Sequence, residues 1–218
     1  MSETLVTRKE AKERTRLRLI ESALKLLKEK GLAGMTMNQI CRKAGIAQPS
    51  FYNHYPALYD LLCDVRIHMN EVYREPAKQC FLNQLALYEQ GEKSVDEVLQ
   101  VFFRHIIDAL LGDIEIFKTI LADHYDKSGP AGGALGLIMD ETRDHWCKFF
   151  NALARGKSLN LTDMQMNLYI DSLSALSHQL VLGCHEQRYG KSRAVDALVN
   201  LAKYHIDDLT RRHKVHAL

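Results

Sequence analysis

The chain has 218 residues, enough for one large or two small domains with a buried core. Apolar residues make up 46% and charged residues 26%, a globular balance, and no run approaches the 18 uninterrupted apolar residues of a membrane span. The net charge of +2 conceals an asymmetry. Residues 1–60 hold eleven Lys and Arg against six Asp and Glu, whereas residues 61–218 hold eighteen against twenty-one, so a basic head of +5 precedes a body of −3. That suits contact with a polyanion at one end, although an imbalance of this size also arises on an ordinary solvated surface.

The N-terminal stretch MSETLVTRKEAKERTR is polar and basic and lacks the apolar core of a secretory signal, which points to the cytoplasm. Residues 1–13 read as a basic arm. Arg8, Lys9 and Lys12, with Arg14, Arg16 and Arg18 beyond, are placed to reach phosphates or a minor groove. A frayed, solvated terminus is the competing reading. Leu17, Ile20, Leu24 and Leu27 then recur with helical period, and Gly31 ends that helix. Thr36 is a good N-cap for a short helix carrying Met37, Ile40, Cys41 and Ala44, which Gly45 stops. A third short helix should open at Gln48-Pro49, since proline is accepted in a first turn, and end at Tyr55-Pro56.

A fourth helix carries Leu58, Leu61, Leu62, Val65, Met69 and Val72, and Pro76 should kink or break it. Residues 94–111 are apolar over most of their circumference and predict a buried helix; residues 113–127 form another. The Gly-rich stretch 128–133 reads as a mobile loop, and residues 134–154 are again helical. After a turn at 156–160, Thr162 is placed to cap a long helix to about Tyr189. Gly190 separates it from a last helix bearing Val195, Leu198, Val199, Ala202, Ile206 and Leu209. The prediction is an all-α chain of about nine helices, with a helix-turn-helix domain at 14–57 and a larger helical domain at 58–218.

The second and third helices, joined by Ala44-Gly45-Ile46-Ala47, have the spacing of a helix-turn-helix, in which the second helix of the pair enters the major groove. Two short helices joined by a glycine turn also occur in helical proteins that bind no DNA. In the DNA reading, Gln48, Pro49, Ser50, Tyr52 and Asn53 face bases. Gln bonds adenine in bidentate fashion, Ser donates or accepts, and Pro and Tyr touch thymine methyls or sugars. Thr36, Tyr52 and His54 suit phosphates. The stretch from Arg14 to Leu62 resembles the DNA-binding domain of the tetracycline-repressor (TetR) family. The shared features are the basic first helix, Gly31, Thr36, the Ala44-Gly45-Ile46 turn and the closing Tyr52-Asn53-His54-Tyr55. Gln48-Pro49-Ser50 resembles the Gln-Pro-Thr of the founding repressor. The usual hydroxyl residue before the recognition helix is Ala47 here, and the usual Ser-Lys after the aromatic-Pro pair is Ala57-Leu58, which removes one phosphate contact. Some fatty-acid-synthesis repressors of the family also lack that Lys and carry the Ser-Phe-Tyr core seen at 50–52. The resemblance implies a DNA site of Thr36, Gln48, Pro49, Ser50, Tyr52, Asn53, His54, Tyr55 and Arg16.

It also implies an effector pocket and a two-fold dimer. Pocket candidates are Phe102, Phe103, His105, Ile106, Phe117, Leu121, His124, Tyr125, Trp146, Phe150 and His178, suited to an apolar or amphipathic effector, including one with an acyl chain. The competing reading is that these aromatics fill an ordinary core. The last two helices carry Leu173, Leu176, Leu180, Val195, Leu198, Ala202 and Ile206, expected to pack against a second copy so that two heads meet a palindromic operator; packing within one chain is the alternative. The five Cys (41, 63, 80, 147, 184) are widely spaced and read as reduced thiols. Ten His form no H-x-x-x-H or H-E-x-x-H pattern, and no phosphate loop, G-x-S-x-G or dinucleotide fingerprint occurs. No enzyme activity, cofactor, metal or membrane partner is expected. The expectation is a cytoplasmic, nucleoid-associated repressor released by an effector. Two rivals remain: a DNA-bound scaffold answering to a protein partner, and a helical enzyme or metal protein with His105, His124, His145 or His178 around one cavity.

Overall fold

The structure is a computed structural model and describes residues 7–129, 131–155 and 163–216; within the helices, the side chains of 149–155, Asp163 and 208–216 are also outside the description. The described residues form ten α-helices and one π-helical segment: α1 (Arg8–Lys30), α2 (Met37–Ala44), α3 (Gln48–Phe51), α4 (Leu58–Met69), the π segment (Asn70–Arg74), α5 (Glu75–Glu89), α6 (Val95–Gly112), α7 (Ile114–Tyr125), α8 (Leu137–Arg155), α9 (Asp163–His185) and α10 (Lys191–His216). The all-α prediction holds, with α5 as the helix it did not separate. Pro76 lies in the first turn of α5 rather than breaking the chain into a loop. The ring lacks an N–H and would crowd the carbonyl of Val72 in a regular α-helix. A π turn, Asn70–Arg74, lies just before it, where the hydrogen-bond ladder is already widened. The expected cap at Thr162 and the turn at 156–160 lie outside the described residues.

By packing, the chain forms two units, residues 1–72 with 115–139, and residues 73–114 with 140–218. In the first unit α1 starts at Arg8, earlier than its apolar period indicated. Thr7 and Glu10 form a capping box, with Glu10 N–H donating to Thr7 Oγ1 (3.2 Å) and Thr7 N–H to Glu10 Oε2 (2.7 Å). Residues 8–13 of the expected basic arm are therefore helical. The buried face of α1 is Leu19, Ile20, Ala23, Leu26 and Leu27, and Leu17 faces solvent. It packs on α2 and α4, whose Ile40, Leu61, Leu62 and Val65 are fully enclosed, and Phe51 of α3 plugs the same core. Residues 131–136, which include the end of the stretch expected as a mobile loop, are instead turns packed into the unit. Ala131, Ala134 and Leu135 are fully buried, and the buried carboxylate of Asp123 accepts the N–H groups of Gly133 (3.1 Å), Leu135 (2.9 Å) and Gly136 (2.9 Å). Gly136 has no room for a side chain: a Cβ there would lie 2.5 Å from His124 Cα.

In the second unit α6 packs against α5, α9 and α10. Ser94 caps α6 with Glu97. Phe81, Phe102, Phe103 and Trp146 pack on one another edge-on or tilted, at centroid distances of 5.3–5.8 Å. Lys191 pairs with Asp108 (2.6 Å), Lys203 with Asp96 (2.7 Å), and Gln100 bonds Asp196 (2.8 Å), so polar contacts line the α6–α10 seam. The residues expected at a dimer interface lie as follows. Leu173, Leu180, Val195, Leu198, Ala202 and Ile206 are all buried inside the single chain, and Leu176 is half-buried. α9 and α10 pack on each other and both pack on α6. Among the described residues, the large apolar side chains exposed on this pair are Met164, Leu168 and Tyr204, with Tyr189 in the turn between the two helices.

Candidate nucleic-acid interface

The DNA-reading candidates converge at one end of the first unit. Thr36 holds its helix by a full capping box, its hydroxyl accepting from Gln39 N–H (3.3 Å) while its own N–H donates to Gln39 Oε1 (2.9 Å). Gly45 then turns the chain at φ +66°, in the left-handed region where a side chain is strained. Arg18 Nε donates to Ala44 O (3.2 Å) and fastens that turn to α1. α3 is a single turn, and its N-terminus at Ala47 has no side-chain cap. The turn continues through bonds from His54 N–H (2.8 Å) and Tyr55 N–H (3.0 Å) to Phe51 O.

The residues of this segment divide cleanly. Gln48, Pro49, Tyr52 and Asn53 are exposed, Ser50 and His54 are half-buried, and Phe51 and Tyr55 point into the core. Tyr55, expected to touch DNA, is only 2% exposed. Its ring packs on Phe51 (5.7 Å) and its hydroxyl donates to Asp64 Oδ2 (2.7 Å), which with burial pushes the phenol's pKa up. It is an anchor, not a contact residue. Arg16, expected on phosphates, is half-exposed and donates through Nε to the same Asp64 oxygen (2.6 Å). His54 has Nδ1 buried with no hydrogen-bond partner. Burial, then Lys12 and Arg16, lower its pKa against the pull of Glu13. At the start of α4 the missing Ser-Lys leaves half a capping box, with Ala57 N–H donating to Asp60 Oδ2 (2.9 Å). Asp64 was not singled out from the sequence; its partners are 48 and 9 residues away, and no local pattern marks them.

Residues 19–63 match the family described as "Bacterial regulatory proteins, tetR family". The fold is similar to a chain assigned to the TetR family from Mesorhizobium loti (TM-score 0.66, 16% identity, covering 92% of this chain and 98% of that one). It is likewise similar to a tetR-family transcriptional regulator from Streptomyces coelicolor (TM-score 0.58, 17% identity, covering 92% and 88%). Residues 19–63 thus carry the TetR-family pattern, and the fold is TetR-like. In sequence it is 27% identical over 138 residues to IcaR, the HTH-type negative transcriptional regulator of the biofilm operon icaADBC in Staphylococcus aureus, covering 62% of this chain and 68% of that one. The Staphylococcus epidermidis IcaR is 28% identical over 94 residues, 42% and 45% of the two chains.

The pocket candidates fall into both packing units. Phe102, Phe103 and Trp146 belong to the aromatic cluster of the second unit, with His105 and Ile106 half-buried on α6 and His178 half-buried on α9, its Nε2 3.4 Å from Ser174 Oγ. In the first unit Phe117 is buried, Leu121 is half-buried, and His124 Nδ1 lies 3.2 Å from Gly136 O. Tyr125 is 75% exposed, at the surface, with its ring against that of His124 (5.1 Å). The Phe150 side chain is outside the description. Among the described residues no group of three His, Cys, Asp or Glu is arranged to hold a metal, and no helix is long and apolar enough to cross a membrane.

Proposed function

We propose that this chain is a repressor that binds a palindromic operator as a homodimer and is released by an apolar or amphipathic effector. The observation that carries the DNA half is the division of the recognition segment: Phe51 and Tyr55 anchor it inward, while Gln48, Pro49, Tyr52 and Asn53 stand free with Ser50 half-exposed beside them. Residues 14–57 supply base reading, with Thr36, Tyr52 and His54 on phosphates, and residues 58–218 supply effector binding and dimerisation. The similarity to IcaR, named a negative regulator, supports repression. The aromatic side chains of α6 and α8 support an effector with a large apolar part. A second copy is assigned to the exposed Met164, Leu168 and Tyr204 rather than to the buried stripes. The working location is the cytoplasm, on the nucleoid.

The test is selection of binding sites from a random duplex pool, followed by release assays. Wild type should enrich a two-fold sequence, and Gln48→Ala should weaken it by about 1–3 kcal/mol and relax one position per half-site. Fatty acids, acyl thioesters and aromatic acids, screened by thermal shift, should include a compound that stabilises the protein and frees the duplex. The mutual packing of Phe81, Phe102, Phe103 and Trp146 favours one other reading, a core closed to small molecules and control by a protein partner. An empty screen with sequence-specific binding intact would select that reading.

A further inference from the structure

One oxygen of Asp64, on α4, collects two donors from other parts of the first unit. Arg16 Nε–H reaches Oδ2 from α1 at 2.6 Å, and the Tyr55 hydroxyl reaches it from the end of the recognition segment at 2.7 Å. The Arg16 guanidinium also lies over the Tyr55 ring, 5.4 Å from its centroid. From Tyr55 the contact continues to Phe51, inside α3. α3 itself has four residues and no side-chain cap at its N-terminus. A single helical turn has almost no stability of its own. Its direction is therefore set by what holds it from inside and behind, and the polar hold is Asp64.

We infer that Asp64 and Arg16 are positioning residues for base reading: their shared bond with Tyr55 fixes the angle at which α3 presents Gln48, Ser50 and Tyr52. This rests on the DNA-binding role alone and is independent of any effector. It gives Arg16 a different part from that of a phosphate contact, since its Nε–H points at a carboxylate of its own chain. A direct bond to a base edge demands a fixed geometry, whereas phosphates attract a basic surface in many poses. Loss of the Asp64 junction should thus damage specific binding far more than non-specific binding.

The experiment compares two duplexes, one enriched by the wild type from a random pool and one with the same bases shuffled. Asp64→Asn and Arg16→Lys should each lower affinity for the enriched duplex about tenfold, the scale of one good base contact, and change affinity for the shuffled duplex less than twofold. The double variant should be no worse than either single one, because both break the same junction. Tyr55→Phe, which removes one hydroxyl and leaves the core filled, should lower the ratio in the same sense and keeps the idea testable if Asp64→Asn folds poorly. If Arg16→Lys, which keeps the charge, binds the enriched duplex like wild type, Arg16 is a phosphate contact and the inference fails. It fails equally if the two single effects add, or if specific and shuffled affinities fall in parallel.

Discussion

At the tip of the first unit, Phe51 and Tyr55 turn inward and leave polar Gln48 and Asn53 outside; along α9 and α10, Leu173, Leu180, Val195, Leu198, Ala202 and Ile206 turn inward and leave Met164, Leu168 and Tyr204 outside. Both regions advertise themselves in sequence by spacing. In the first, the spacing sits beside a glycine turn and a capping threonine, so few conformations satisfy it and the outward residues follow. In the second, the apolar stripe states only that a face is buried, not against what. α6 lies within reach and packs on both helices, and the proposed partner surface is the exposed one instead.

The largest effect that can break this comparison is at Leu198, which is fully buried. Leu198→Glu should cost at least about 4 kcal/mol, enough to unfold an ordinary domain, because a carboxylate replaces a packed side chain with no partner at hand. Met164→Glu and Leu168→Glu, at positions 81% and 64% exposed, should change the stability of the chain by only about 0.5 kcal/mol while lowering the mass in sedimentation to that of one chain. If Leu198→Glu folds cooperatively and merely dissociates, the stripe was an interface after all. If the double substitution at 164 and 168 leaves the mass unchanged, the exposed face is not where copies meet.

A smaller effect belongs to Asp123. Its buried carboxylate takes three backbone N–H bonds from the turns at 133–136, and an amide at this place can accept through one atom only. Asp123→Asn should cost about 2–3 kcal/mol in urea unfolding, in the range for a buried charged group losing bonded neighbours. The loss should come with exposure of the 131–136 segment to protease. An unchanged midpoint would mean that the turns are held by Ala131, Ala134 and Leu135 alone.

These two sites also show what was legible beforehand. The helix-turn-helix was, because Thr36, Gly45 and the apolar stripe of α1 act within a few residues of one another. The start of α1 at Arg8 was written in Thr7 and Glu10, a cap signal overshadowed by the basic run that follows. The Asp64 junction and the Asp123 turns were not legible: each joins a carboxylate to groups 9 to 48 residues away, and such distances leave no periodic trace. A Gly-rich stretch reads as mobile when its glycines are counted, and as a tightly packed turn once a buried acceptor is found for its N–H groups.

The smallest effect is that of pH at His54, and it separates the folded head from the DNA-bound one. In the free protein its pKa lies below the ordinary value, first through burial and then through Lys12 and Arg16, with Glu13 opposing. Asp64 and Tyr55 face the same end, with the Asp64 charge taken up by Arg16. The unfolded chain therefore binds the proton more readily, so this residue's contribution to stability is present above the unfolded pKa of about 6.5 and is lost as pH falls below it. His145, lowered by burial and by Arg74 and Lys78, acts with the same sign and is the internal control. A phosphate beside His54 reverses the preference, because the anion favours the charged ring. Stability and operator affinity should then run in opposite directions between pH 7.5 and 5.5, stability falling and affinity rising. His54→Gln should flatten part of both slopes, and His145→Gln only the first. If His54→Gln keeps the full pH dependence of duplex binding while flattening that of urea unfolding, His54 belongs to the core of the head and not to its DNA face.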